Sequence, residues 1–109
     1  MSKWSVVYSN VAKQDLSNIY QYIAFELIAP ETARKQSDRI MTAIEMLEEM
    51  PMRCSLCEKE PWKTRGLKKL LIDNFIVFFL PIEKVKEVLI VTIMYSGRNV
   101  DDILAKLDI

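Results

Sequence analysis

The chain contains no histidine, so it lacks the side chain that most often moves protons near neutral pH. Cysteine occurs only twice, as Cys54 and Cys57 in a single C-x-x-C. A structural zinc site wants four ligands, so without histidine this pair supplies half of one. It also sits in a loop-like stretch, PMRCSLCEKEP, and not between a strand and a helix where a thioredoxin-type motif belongs. Free thiols are expected, with no metal and no cofactor. Formal net charge is zero, which excludes a protein that coats nucleic acid by general counterion release. Any contact with nucleic acid must come from local clustering. No apolar run approaches the ~18 residues that span a bilayer, and MSKWSVVYSN lacks the apolar core of a signal peptide. These absences predict a cytoplasmic protein with no membrane contact.

What is present suits a folded core. Half of the 109 residues are apolar and 28% are charged, which predicts one globular domain over 1–109. Residues 4–8, WSVVY, read as an opening strand. Ser9 or Asn10 then offers an N-cap, and Ala12, Leu16, Ile19, Ile23 and Leu27 recur at helical spacing up to Ala29-Pro30. Pro30 and Glu31 suit the first turn of a second helix, whose inner face is Ala33, Ser37, Ile40, Ile44 and Leu47. Lys35, Arg39, Thr42, Met46 and Glu49 share the opposite face. Pro51 ends this helix and opens a loop over 51–65.

Three runs follow with strand character, at 67–72, 75–80 and 87–95, parted by turn chemistry at Asp73-Asn74 and over 81–84. The last run lacks polar alternation from Val88 to Ile93, which predicts a central strand covered on both faces. Asn99 with Asp102 forms a capping pattern for a short final helix ending near Leu107. Capping also explains Asp101 and Asp102 better than magnesium does. The predicted class is α+β: an N-terminal strand, a two-helix hairpin packed on a mostly antiparallel four-stranded sheet, and a short C-terminal helix.

Three local motifs in this order resemble the RelE/ParE family of toxins from bacterial type II toxin-antitoxin modules. The first is A-x-x-D-L-x-x-I-x-x-Y-I, carried by Ala12, Asp15, Leu16, Ile19, Tyr22 and Ile23. The second is PW-x-x-x-GLKKL-x-x-x-NF-x-VFF, from Pro61 to Phe79, and the third is YSGRN-x-x-D-IL, from Tyr95 to Leu104. The resemblance implies a small growth-inhibiting toxin neutralised by a cognate antitoxin. Some members of the family cleave messenger RNA on the ribosome, and others inhibit DNA gyrase.

Cleaving RNA without a metal takes a base, an acid and a cation for the crowded phosphorane. Carried over from the nuclease branch, the basic second-strand position falls on Lys69, with Lys68 beside it, and the arginine after the last strand falls on Arg98. The third-strand arginine position falls on Ile76 and the C-terminal tyrosine position near Leu104, so half the set is missing. Tyr95 would have to supply the phenol from a new place. The resemblance therefore favours a ParE-like toxin acting on DNA gyrase. The alternatives are a ribosome-dependent endoribonuclease using Lys69, Arg98 and Tyr95, and a non-toxic binding module derived from the family.

Lys63, Arg65, Lys68 and Lys69 place four positive charges within seven positions. They suit an acidic or phosphate-bearing target, or equally an edge strand guarded by lysines. Adjacent lysines point to opposite faces of a strand, and alternation alone leaves open which one lines a groove. Trp62 either stacks on a target or anchors the 51–65 loop in the core. Target contacts are thus assigned to Trp62, Arg65, Lys68, Lys69 and Arg98. Antitoxin contacts are assigned to Arg39 and the adaptable Met46 on the second helix and to Leu104 on the last. Gly97 is expected to supply backbone freedom where the chain leaves the central strand.

Overall fold

The computed structural model describes residues 3–106. Strand β1, Ser5–Tyr8, runs parallel to the last strand, β5, Glu87–Tyr95, in the register Val6↔Val88 and Tyr8↔Ile90. A parallel pair needs a crossover, and two helices supply it. Helix α1, Asn10–Gln21, starts at the expected cap: the Ser9 hydroxyl accepts the Ala12 N–H at 3.0 Å and donates to the Val91 carbonyl at 2.8 Å.

The helix then loosens into a π-helical turn, Tyr22–Glu26, in which Leu27 N–H bonds to the Tyr22 carbonyl five residues back. The wider turn shifts the apolar stripe. Ile23 and Ala24 are buried, while Leu27, expected to be internal, is 56% exposed. A 3.6-residue period cannot anticipate such a slip.

Helix α2, Pro30–Glu45, has proline in its first turn, as expected, and Ala33, Ser37, Ile40 and Ile44 buried. Leu47, in the 3₁₀ turn that continues it, completes that face. The hairpin lies on one side of the sheet, where Ala12, Ile40, Ile44 and Leu47 pack on Val77, Phe79, Val88, Ile90 and Ile93.

The sheet has five strands in the order β1-β5-β4-β3-β2, one more than expected. The extra strand is β2, Ser55–Leu56, inside the predicted 51–65 loop, which also holds a one-turn helix α3, Trp62–Arg65. Two residues carry no alternation, so β2 exists only through its pairing with β3, Lys68–Ile72. Strand β4, Phe75–Ile82, runs two residues past its predicted end through Pro81. Pairing with β3 stops at Phe79, so β4 is an edge there and the missing proline N–H is harmless. The predicted turn at 81–84 accordingly moves to 83–86, where Lys86 takes φ 54°.

On the second face Ile76, Phe78, Val91 and Met94 are covered by Trp62, Leu67 and helix α4, Val100–Ala105, through Leu104. Strand β5 is therefore central and buried on both sides, as its unbroken apolar run predicts. The expected helix end near Leu107 lies outside the described residues. Among those residues no helix is long and apolar enough to cross a membrane.

Strand β1 stops pairing at Tyr8↔Ile90, which leaves the next edge groups of β5 to α1. Close to the bulge opposite Phe78/Phe79, Asp15 Oδ2 accepts both the Ile93 N–H at 3.0 Å and the Thr92 hydroxyl at 2.5 Å. Asp15→Ala strands both donors in a largely buried place and should cost about 1–3 kcal/mol in equilibrium urea unfolding. Asp15→Asn keeps an acceptor and should cost less; equal losses would contradict this role.

Candidate functional site

Pairing with β4 resolves the two adjacent lysines. Lys68 lies opposite Phe79 on the hairpin side, and Lys69 lies opposite Phe78 on the second face. Lys68 is 8% exposed, and its Nζ donates to the Cys54 carbonyl at 2.7 Å and the Met52 carbonyl at 3.4 Å. It therefore ties the 52–54 segment to β3 and is not a target contact, a correction that turns on strand register. Half-buried Lys69 keeps its place on the second face.

Trp62 is likewise buried, in the cluster beneath α3 and α4, with the Arg65 guanidinium 5.4 Å from its ring. The anchoring role holds and the stacking role does not. Arg65 itself is exposed. Leu104 is 1% exposed in the same cluster as Ile76, so it packs α4 onto the sheet and offers nothing to an antitoxin. The two positions that depart from the nuclease pattern thus share one apolar cluster.

At the exit of β5 the chain turns over an Arg98 N–H to Tyr95 carbonyl bond of 3.1 Å. Tyr95 meets Phe75 edge-on at 6.0 Å, and its ring lies across Gly97. A Cβ at Gly97 would sit 2.5 Å from Tyr95 Cε2. Gly97 has no positive φ, so it leaves room for the Tyr95 ring and supplies no unusual backbone geometry; positive φ occurs at Gly66, which ends α3. Arg98 is exposed at a cleft of about 360 Å³ that it shares with Asp15, Thr92, Asn99 and Asp102. Its guanidinium forms no ion pair among the described residues.

Asn99 caps α4 as expected, accepting the Asp102 N–H at 3.3 Å while its own amide donates to the Asp102 carboxylate at 3.0 Å. Asp101 binds Lys59 at 2.6 Å and, through that hydrogen bond, holds the lysine above its ordinary range. Asp101 is thus engaged by Lys59, and Asp102 by the α4 cap. Among the described residues no group of three His, Cys, Asp or Glu is placed to hold a metal.

The other predicted pair does converge. Arg39 and Met46 line one groove of about 390 Å³ with Thr42, Ala43 and Ile72, between α2 and the end of β3. Arg39 pairs with Asp73 at 2.7 Å, and Met46 is 71% exposed. The contributions of Ile72 and Asp73 were hidden in the sequence because they depend on β3 lying alongside α2.

Known proteins share this architecture. A chain from the chromosomal ParDE TA system of P. aeruginosa matches with TM-score 0.70 and 25% identity, covering 85% of this chain and 96% of its own. A chain from the toxin-antitoxin complex RelBE2 of Mycobacterium tuberculosis has the same fold at 14% identity and TM-score 0.61, covering 85% and 98% respectively. No curated protein matches. The fold is thus the one found in toxin-antitoxin systems. The sequence profile described as the ParE toxin of type II toxin-antitoxin system, parDE, matches residues 6–100, and the chain belongs to that family.

Cys54 and Cys57 are free and pack in different clusters, Cys54 on the hairpin side and Cys57 on the other. Burial pushes the Cys54 thiol up, partly offset by the charge of Lys68. A raised pKa means less thiolate at a given pH. At about pH 8 iodoacetamide should therefore label Cys54 several-fold more slowly in the folded protein than in urea, with the gap closing as pH rises. Rapid labelling at pH 7, or a Cys54–Cys57 disulfide after mild oxidation, would contradict the placement.

Proposed function

We propose that this toxin is a ParE-like inhibitor of DNA gyrase, acting in the cytoplasm and neutralised by a cognate antitoxin. The observation that carries this reading is the burial of Ile76 and Leu104 in one apolar cluster, on the face that bears Lys69. Cleavage of RNA needs groups that take up and deliver protons where bonds change. Hydrocarbon at these two positions supplies neither, and no histidine replaces it. What the exit of β5 does retain is a cation. Arg98, exposed and without an ion pair among the described residues, suits an acidic or phosphate-bearing surface on a large target. Lys69 and Arg65 would extend the same contact.

The antitoxin is proposed to use the groove of Arg39 and Met46. An exposed methionine over Ala43 and Ile72, rimmed by the Arg39–Asp73 pair, offers an adaptable apolar floor with a polar edge. The structural neighbours come from toxin-antitoxin systems, which supports such a partner.

Added to a gyrase supercoiling reaction and to a translating extract with mRNA ends mapped, the purified protein should block the first and leave the second unchanged. Arg98→Ala should lose at least about tenfold in inhibition while its melting temperature stays within a few degrees, since an exposed arginine contributes little burial. New codon-positioned ends with normal supercoiling would establish the nuclease instead. No effect in either assay, with unimpaired growth on expression, would favour a binding module. Separately, Met46→Glu should weaken binding of the antitoxin encoded beside this gene by roughly ten- to a hundredfold, measured by calorimetry. Unchanged affinity would place the antitoxin elsewhere.

A further inference from the structure

The tip of the helical hairpin displays apolar surface that the core does not use. Tyr22, Phe25, Leu27 and Ile28 are 57%, 72%, 56% and 83% exposed. Inside the tip, Ile23, Ala24 and Ala33 already form a closed cluster with Ile19, Ala29 and Phe75. The four outer side chains add little to it.

Backbone geometry points the same way. Ala29 N–H reaches back to the Ile23 carbonyl at 3.1 Å, a seven-residue closure, one residue wider than the usual helix-ending bond that brackets a residue in left-handed conformation. Glycine normally fills that position, and here it is Ile28, at φ 51°. A β-branched residue is among the least suited to this conformation. The chain thus carries local strain and in return turns an isoleucine almost fully into solvent. The π-helical turn beside it, Tyr22–Glu26, is a second local irregularity in the same place. Such departures persist where something beyond the fold requires them.

We propose that this tip is a self-association surface, on which a second copy of the chain packs its own Tyr22, Phe25, Leu27 and Ile28 about a two-fold axis. Charge permits the match. Glu31 and Arg34 of α2 pair with each other at 3.1 Å, which leaves Glu26 as the only other charged residue between Tyr22 and Arg34. A patch with so little net charge meets its own image with little repulsion, unlike the basic stretch from Lys63 to Lys69. Area sets the strength. With aromatic side chains carrying roughly 150–250 Å² each, the exposed parts of the tip amount to on the order of 500 Å² per copy. Two copies would bury about 1,000 Å², the lower bound for a specific interface. A reversible dimer follows, not an obligate one.

Sedimentation equilibrium on the full chain from about 1 µM to about 1 mM tests this, since an interface at that lower bound should dissociate in the micromolar-to-millimolar range. The mass should climb from one 12.7 kDa chain towards two. Phe25→Glu should hold the protein at single-chain mass with an unchanged circular dichroism spectrum. Ile28→Gly is the sharper variant: relieving the left-handed residue should raise the melting temperature, and losing the isoleucine should weaken association at least about tenfold. A purely structural Ile28 would not separate those two readouts. Single-chain mass throughout overturns the proposal, as does a dimer that neither substitution weakens. Single-chain mass combined with loss of antitoxin binding in Phe25→Glu would overturn it in favour of the antitoxin as the tip's occupant.

Discussion

Strand β5 is apolar on both faces, and the other elements are arranged to keep water from it. Its side chains need two layers of cover, and its backbone needs partners along both edges. Strand β4 takes one edge along its whole length. The other edge is shared: β1 pairs as far as Ile90, and beyond it α1 supplies the Ser9 hydroxyl for Val91 and the Asp15 carboxylate for Thr92 and Ile93. Since β1 runs parallel to β5, the chain must cross over between them, and that crossover is the helical hairpin covering one face. The remaining face falls to α3 and α4, which flank the meander in sequence. One doubly buried strand thus accounts for both helical layers.

The same constraint fixes where chemistry can occur. A strand packed on both faces offers reactive groups only where it emerges, and β5 emerges at Tyr95. The turn there is held by Asn99 at the α4 cap and by the ring of Tyr95 lying over Gly97, so Arg98 is presented from a defined backbone. Closing the second face has the opposite effect on Ile76 and Leu104. In this chain α4 covers β5 with hydrocarbon at those positions, and hydrocarbon moves no protons.

Much of this was legible in the residues. The inner face of α2, the caps at Ser9 and Asn99 and the buried run of β5 follow from spacing and hydrogen-bonding chemistry, both local. What escaped depends on distant partners. Lys68 and Lys69 are equivalent until Phe79 and Phe78 lie opposite them. Leu104 looks like a surface contact, and Trp62 is open to either role, until the sheet face they cover is known. Strand β2 has no signal of its own, and Leu27 left the core because a π-helical turn broke the period. Of the predicted site, Arg98 and the Arg39–Met46 groove kept their exposure, because each lies on a helix surface or at a strand exit where local pattern decides.

Family membership leaves the reaction open for a related reason. The motifs that carry it, from Asp15 on α1 to Asn99 before α4, serve the edge of β5 and the cap of α4 in this chain, which are demands of the fold and not of a reaction. The proposed choice between activities rests instead on a few side chains beneath α4. In this protein these are not merely missing polar groups. Ile76 sits in an apolar cluster with Phe78, Met94 and Leu104, where a guanidinium would lose much of its hydration. Burying an unpaired charge costs several kcal/mol, comparable to the whole stability of a small domain. On the proposed reading, the apolar packing that secures the C-terminal helix leaves the toxin to meet its target at the surface.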